Sequence, residues 1–592
     1  VRDLAPGTAV HHRDELDAVQ RALREIPGTT VLVYDQTCAA EKRRRRKRGK
    51  FPDPQKRVVI NDLVCEGCGD CSVKSNCLSV VPLETEFGRK RAIDQSTCNK
   101  DYSCLKGFCP SFITVEGGQL RKKKSVVQEV LAPLPMPPLP QLDRPYGILV
   151  TGIGGTGVVT IGAILGMAAH LEGKGATVLD MAGLAQKGGS VYSHIRIAPK
   201  PEQIHAVRIA AGDARLVLGC DMIVAASDEA IAKMQSGSTR AVINGDVAPT
   251  GDFTKQPDLQ VPANDMAESI RVACGGAADF VDATDLATAL MGDSIATNLF
   301  MVGYAWQKAL IPLNETSILQ AIELNGAAVE SNKKAFEWGR RAAVDLASVE
   351  RAATPPEARP ESQRLSQSLD EVIGRRMAFL AQYQDEAYAR RYGEFVQKTR
   401  VAENSCVPGS TQLTSMVARY LFKLMAYKDE YEVARLHADT GFLKRIAAQF
   451  EGEYTVKMHL APPLWARPDP VTGEATKREF GPWMMRAMGV LARFKGLRGT
   501  PFDVFGYSRE RRTERQLIAD YRKTIEELLA DLEAGRIQLA AEIAAIPEFI
   551  RGYGHVKDRH LKEAKSREAA LLDQWRDPEK SEKPRIPIAV AA

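Results

Sequence analysis

Seven of the eleven cysteines in this 592-residue chain fall between Cys65 and Cys109, and their spacing restricts the local fold more than any other feature. The first half reads "VVINDLVCEGCGDCSVKSNC" and the second "KRAIDQSTCNKDYSCLKGFCP". A shift of 33 residues carries Cys65 onto Cys98, Cys68 onto Asp101 and Cys71 onto Cys104, and it brings Cys77 within one residue of Cys109. Ile60 and Ile93 each stand five residues ahead of the first cysteine of their half. The segment is an internal duplication. Cys38, Cys220, Cys274 and Cys406 are scattered. A disulfide framework would spread its cysteines, so crowding in one segment points to metal in a reducing compartment.

A C-x2-C-x2-C loop wraps an iron–sulfur cubane, and in two-cluster modules the fourth cysteine reaches across to the other cluster. Cys65, Cys68, Cys71 and Cys109 are therefore expected to hold one cluster. Cys77, Cys98 and Cys104 are expected to hold the second, with Asp101 at its fourth corner. The gaps before the fourth cysteines are five and four residues, and Cys77 is followed by Leu78 rather than proline. Structural zinc is the alternative, but seven thiols with paired two-residue spacings favour iron–sulfur. Asp101 leaves three readings open. It is an oxygen ligand to a [4Fe–4S] cluster, it marks the empty corner of a [3Fe–4S] cluster, or it is a polar neighbour.

A proline-rich stretch, "LAPLPMPPLPQLDRP" (131–145), leads into "YGILVTGIGGTGVVTIGAILGMAAHLEGKGATVLDM". Ile148 to Val150 reads as a buried strand, Gly152, Gly154, Gly155, Thr156 and Gly157 as a tight turn, Val158 to Leu171 as a helix and Ala176 to Leu179 as a second strand. Such a turn brings backbone N–H groups toward a phosphate at a helix N-terminus. Asp180 lies where a dinucleotide fold keeps its ribose-binding acid. NAD, another phosphate-bearing ligand and a packing turn without ligand all remain open. "AQKGGSVYSHIRI" adds a glycine loop and a strand from Ser190 to Ile197.

At the start of the chain, an amphipathic helix precedes an expected strand, Thr30 to Tyr34, and a basic run, "KRRRRKR" (Lys42 to Arg48). That run lacks interleaved aromatics, so nucleic acid is disfavoured against a docking or clamp surface or a solvated linker; "RKKKS" (121–125) reads likewise. Beyond "TPPEARPESQ" (354–363) apolar positions recur at three and four, predicting a mostly helical tail with loop or strand at 454–477. His437, His459, His555 and His560 have no paired metal spacing. No run of eighteen apolar residues and no signal segment is present, so a membrane partner is not expected and a cytoplasmic location is.

The cysteine repeat resembles bacterial-type ferredoxin modules. Together with "GIGGTGVVTIGAILG" and "AQKGGSVYSHIRI", it resembles the 2-oxoacid:ferredoxin oxidoreductase superfamily, in the order of its fused bacterial indolepyruvate-type members. The resemblance implies an α/β multidomain chain. Residues 1–50 would be the end of a thiamine-diphosphate domain with a basic linker, and 51–125 a ferredoxin-like α+β module with two iron–sulfur clusters. Residues 126–145 would be a linker, 146–346 a Rossmann-like, doubly wound gamma domain, and 366–592 a helical domain. The implied reaction is oxidative decarboxylation of an arylpyruvate to the acyl-CoA, with electrons leaving through the clusters to ferredoxin. A branched-chain or other 2-oxoacid enzyme, and a non-catalytic electron-transfer subunit, are the alternatives. The GDG thiamine–magnesium signature is absent, so thiamine diphosphate and Mg2+ are expected in an upstream half. Coenzyme A would be co-substrate, with a phosphate at Gly154 to Gly157. A homodimer is implied, and no catalytic residue is assignable in this chain.

Overall fold

The computed structural model describes residues 7–121, 133–183, 189–247, 251–256, 258–353, 360–462 and 475–577. Five of the stretches singled out above lie wholly or partly outside them: 122–125, 131–132, 185–188, 354–359 and 463–474. The chain divides into two compact units, Val1–Asp53 and Pro54–Ala592.

In the first unit, α1 (Leu16–Arg24) and α2 (Ala39–Lys47) are short helices. The basic run that reads as a linker is largely helical. Glu41 pairs with Arg45 at 3.0 Å, one turn on, and four cations occupy the last turn, where the helix carbonyls favour them. The expected strand from Thr30 to Tyr34 does not form, and Val31 and Val33 stand 79% and 73% exposed. A strand is stabilised by a paired neighbour, and none pairs with these residues among those described.

The second unit opens with the cysteine module. Its elements are β1 (Lys56–Ile60), α3 (Asp70–Ser75), β2 (Val80–Leu83), β3 (Lys90–Ile93), β4 (Phe112–Glu116) and β5 (Gln119–Leu120). β1 and β4 are antiparallel, with Ile60 opposite Phe112, and β2 and β3 form a hairpin. Val58, Ile60, Val80 and Phe112 pack with Cys65, Cys71 and Cys104 in one small core.

Next come β6 (Tyr146–Ile153), α4 (Val158–Leu171), β7 (Gly175–Ala182), β8 (Ser190–Ala198), β9 (Leu216–Gly219), β10 (Arg240–Asn244) and β11 (Ala278–Val281). Their sheet runs in the order β11-β10-β9-β6-β8-β7. β11, β10, β9 and β6 are parallel, whereas β8 is antiparallel to both β6 and β7. This corrects the doubly wound reading. β6 and β7 run the same way, but β8 lies between them. Asp180, on β7, is thus not on the strand beside the glycine turn, as the ribose acid of an adjacent βαβ unit would be. Apolar residues pack on both sheet faces, which explains the unbroken run Ile148-Leu149-Val150.

The C-terminal part is helical from Leu369–Tyr383 to Gly554–Arg576, with a core around Tyr392, Leu421 and Ile525. It is not purely helical. β12 (Phe450–Glu451), β13 (Thr455–Leu460) and β14 (Arg478–Phe480) interrupt it. β13 pairs antiparallel with β4, giving a four-stranded sheet β1-β4-β13-β14, and β12 pairs with β5. The expected boundary between a ferredoxin module and a separate helical domain is therefore crossed by two strand pairings. Glu86 of the β2–β3 turn and Arg376 form a buried ion pair across the same junction.

Candidate metal centre

The duplication is visible in the backbone. Gly67 and Gly69 are left-handed, at φ +68° and +76°. Their equivalents 33 residues on, Lys100 and Tyr102, are left-handed as well, at +50° and +64°. In each half the amide two residues past the first cysteine donates to its sulfur: Gly67 N to Cys65 Sγ at 3.3 Å, and Lys100 N to Cys98 Sγ at 3.4 Å. The loops then turn into α3, carrying Cys71, and into the Ser103–Lys106 turn, carrying Cys104. Gly67 has no alternative, since a Cβ there would lie 2.2 Å from the Arg89 carbonyl oxygen.

The thiols fall into two sets. Cys65, Cys68, Cys71 and Cys109 line one small cavity, closed by Ile60, Phe108 and Phe112. Burial pushes the Cys68 and Cys71 thiols up, and the charges of Cys109 and Cys65 push them further. Cys104 belongs to the other set, its thiol pushed up to about 12 by burial and then by Cys77 and Cys98. Cys65, Cys68, Cys71 and Cys109 thus share one pocket, while Cys104 is electrostatically linked to Cys77 and Cys98. Asp101 is half-buried and accepts a hydrogen bond from the Ser103 hydroxyl.

These residues fit thiolate-held clusters. Buried thiols resist ionisation in the absence of a cation, whereas a bound metal core deprotonates them outright. Amide-to-sulfur bonds of the kind made by Gly67 and Lys100 are among the features that set cluster potentials. Among the described residues, no group of three or more His, Cys, Asp or Glu side chains is arranged to hold a single metal ion. The four thiols of the first set face one common pocket, as the ligands of a single cluster would.

The C-terminal part closes the centre. Lys428 Nζ donates to the carbonyls of Val64 and Cys65 at 3.2 and 3.1 Å, and pairs with Glu66. Burial alone would raise the Glu66 carboxyl, but Lys428 and its neighbours hold it at about 2. Tyr553 Oη donates to Val64 O at 2.7 Å, Asn61 Nδ2 donates to Leu436 O at 2.9 Å, and His437 Nε2 lies 3.0 Å from Pro110 O. His555 packs on Phe108, with ring centres 4.7 Å apart. Lys477 Nζ reaches Cys109 O at 3.4 Å. None of these partners is signalled by sequence spacing. Each is a lone residue more than 300 positions from what it touches.

The glycine turn lies apart from this centre, between β6 and α4. Thr156 Oγ1 donates to Ile153 O at 2.8 Å, and Gly154 N donates to Gly189 O at 2.8 Å. Asp221 takes the amides of Ile153 and Val224 at 2.6 and 2.9 Å, and burial raises its carboxyl. A Cβ at Gly157 would meet the Asn298 amide at 2.3 Å. Much of the turn's hydrogen-bonding capacity is thus already used internally, and a carboxylate adjoins it.

Residues 147–342 match the pyruvate ferredoxin/flavodoxin oxidoreductase family, and residues 369–570 match a family of unknown function, DUF6537. The indolepyruvate oxidoreductase subunit IorB of Methanothermobacter thermautotrophicus is 28% identical over 202 residues, covering 34% of this chain and 98% of that protein. The IorB subunit of Thermococcus kodakarensis is 26% identical over 205 residues, with the same coverages. The gamma subunit of a keto/oxoacid ferredoxin oxidoreductase from Geobacter sulfurreducens aligns at 20% identity over 34% of this chain and 98% of its own, with a TM-score of 0.25. Through residues 147–342 the chain carries a pyruvate ferredoxin/flavodoxin oxidoreductase domain and is related to the 2-oxoacid:ferredoxin oxidoreductases. The relatives that match this stretch are IorB subunits of indolepyruvate oxidoreductases. Among the described residues, no helix is long and apolar enough to cross a membrane.

Proposed function

We propose that this chain is the electron-exit part of an indolepyruvate-type 2-oxoacid:ferredoxin oxidoreductase. The observation that carries the reading is the sorting of seven cysteines into two crossed sets, in a chain that also holds an oxidoreductase-family domain. Cys65, Cys68, Cys71 and Cys109 would hold one [4Fe–4S] cluster. Cys77, Cys98 and Cys104, with Asp101 at the remaining corner, would hold the other. The clusters supply one-electron storage between the oxidised 2-oxoacid adduct and ferredoxin.

The chain's own residues give that storage its setting. Ile60, Phe108 and Phe112 keep water from the first core. The Gly67 and Lys100 amides support thiolate charge, and the Lys428–Glu66 pair closes the cavity rim. Thiamine diphosphate with Mg2+ would act in a partner half of a homodimeric enzyme. Coenzyme A would meet the domain of residues 147–342, with a phosphate at the Gly152–Gly157 turn as the site to test.

The test is iron and sulfide analysis of the anaerobically purified protein with its thiamine-binding half. It is followed by dye reduction with indolepyruvate, phenylpyruvate and pyruvate, with and without coenzyme A. Two clusters and CoA-dependent arylpyruvate oxidation are expected, with Cys71→Ser losing about half of the iron. Iron-free protein would remove the reading, and turnover without coenzyme A would remove its acyl-CoA part.

A further inference from the structure

Lys477 comes from the DUF6537-matched part, yet it lies against the cysteine module. It immediately precedes β14, and the pairing of Leu460 with Arg478 and of His459 with Glu479 fixes its backbone on the shared sheet. The side chain runs to Cys109, where Nζ meets the carbonyl oxygen at 3.4 Å, and lies 4.7 Å from the centre of the Phe112 ring. Phe112 is fully buried in the core that holds Cys65, Cys71 and Cys104. The ammonium is electrostatically linked to Cys109 and Cys71 of the first set and to Cys104 of the second. Its charge thus acts on members of both sets.

Lys477 also differs from Lys428. Lys428 is neutralised by Glu66. Among the described residues Lys477 forms no ion pair with a carboxylate within 4 Å, and the charges that act on it most are those of Cys109, Cys71 and Cys104, followed by Asp70. A thiolate-held iron–sulfur core is net negative and becomes more so on reduction. A nearby cation without a paired carboxylate stabilises the reduced form, more strongly where water is excluded.

We propose that Lys477 is a potential-setting residue. Its ammonium, delivered by a domain of otherwise unassigned role, raises the reduction potentials of both clusters. Resting on the two-cluster reading above, this gives the DUF6537 part a function in electron transfer rather than in substrate binding.

The experiment is an EPR-monitored redox titration of the full chain with its thiamine-binding half, after iron and sulfide have been measured. Lys477→Gln and Lys477→Met should retain both clusters and shift both midpoints negative. At the wild-type midpoint, the reduced-to-oxidised ratio should fall about tenfold, which is about 59 mV for one electron. Lys477→Arg, which keeps the charge, should stay within about twofold of wild type. Unchanged midpoints in the neutral variants with iron retained would overturn the proposal. So would loss of iron in both neutral variants but not in Lys477→Arg, which would make Lys477 an assembly residue. Wild-type protein without iron would overturn this proposal together with the cluster reading.

Discussion

Asp101 stands between Lys100 and Tyr102, two left-handed residues that are not glycine. Such a conformation costs about 1 kcal/mol or more for each side chain. It is secured by Lys100 Nζ donating to Pro54 O at 2.8 Å and Tyr102 Oη donating to Lys56 O at 3.0 Å. The second loop therefore keeps the shape that Gly67 and Gly69 give the first, although its ligand type has changed. A loop that had lost its ligating role would have no reason to retain two strained residues, which favours the readings in which the corner still faces a cluster. Asp101→Cys should convert the second cluster to an all-cysteine [4Fe–4S] site, seen as a changed EPR signal at unchanged or higher iron content. An identical spectrum would leave Asp101 a polar neighbour. Gly67→Ala should be severe, because its Cβ would overlap a backbone oxygen that cannot move aside. About half of the iron should be lost in purified protein. At this scale the duplication was legible from spacing alone, and it recurs in the backbone of the two loops. Lys477, Lys428 and Tyr553 were not, since a contact that spans hundreds of residues leaves no local pattern.

Strands and helices were legible where one segment carries its own signal. β6, α4 and β8 lie where an apolar run, a glycine turn and a β-branched stretch place them. Pairing partners were not legible. Nothing in "YTVKMHL" shows that it will lie against β4, or in β7 that β8 will separate it from β6. Yet the β4–β13 pairing covers what would otherwise be an open edge of the cysteine module. Two histidines close that seam: His459 Nε2 lies 3.2 Å from Thr114 Oγ1, and His437 reaches Pro110 O. Burial pulls each ring down to about 4, against about 6.5 when unfolded. The unfolded chain thus takes up protons first as pH falls. Stability is complete above about pH 6.5 and is lost as pH drops toward 4, by roughly 3 kcal/mol per histidine. The melting temperature should fall between pH 7.5 and pH 5. His459→Gln, which keeps a polar partner for Thr114 but does not titrate, should flatten that slope. Equal slopes in the two proteins would show that the seam does not sense pH through His459.

For the whole molecule, the question is what holds a cysteine module of this size. Its own core is small, and three of its buried members are cysteines. A segment this short does not bury enough apolar surface to stand alone without metal or a covering domain. It has a covering domain: β13 on β4, Tyr553 and Lys428 on the first cysteine loop, and Phe87 against Phe379 and Phe422 with ring centres 5.1 and 5.4 Å apart. The oxidoreductase-family domain is built differently, with its own cores on both faces of the β6-containing sheet. It meets the module through smaller contacts, such as Thr254 Oγ1 donating to Asn76 Oδ1 at 2.6 Å and Arg91 over Phe253 at 4.7 Å. Cluster binding would then be linked to the folding of the module and the C-terminal part together, and only weakly to that of residues 147–342. Calorimetry should resolve an iron-dependent transition and an iron-independent one. Removing the clusters by oxidation and chelation should lower the first by several degrees and leave the second in place. Limited proteolysis of the iron-depleted protein should cut first within residues 54–121 and 369–577 and spare the sheet domain. A uniform shift of all transitions would mean that the domains fold as one unit. No shift at all would mean that the cysteine module is held by its covering domain without help from metal.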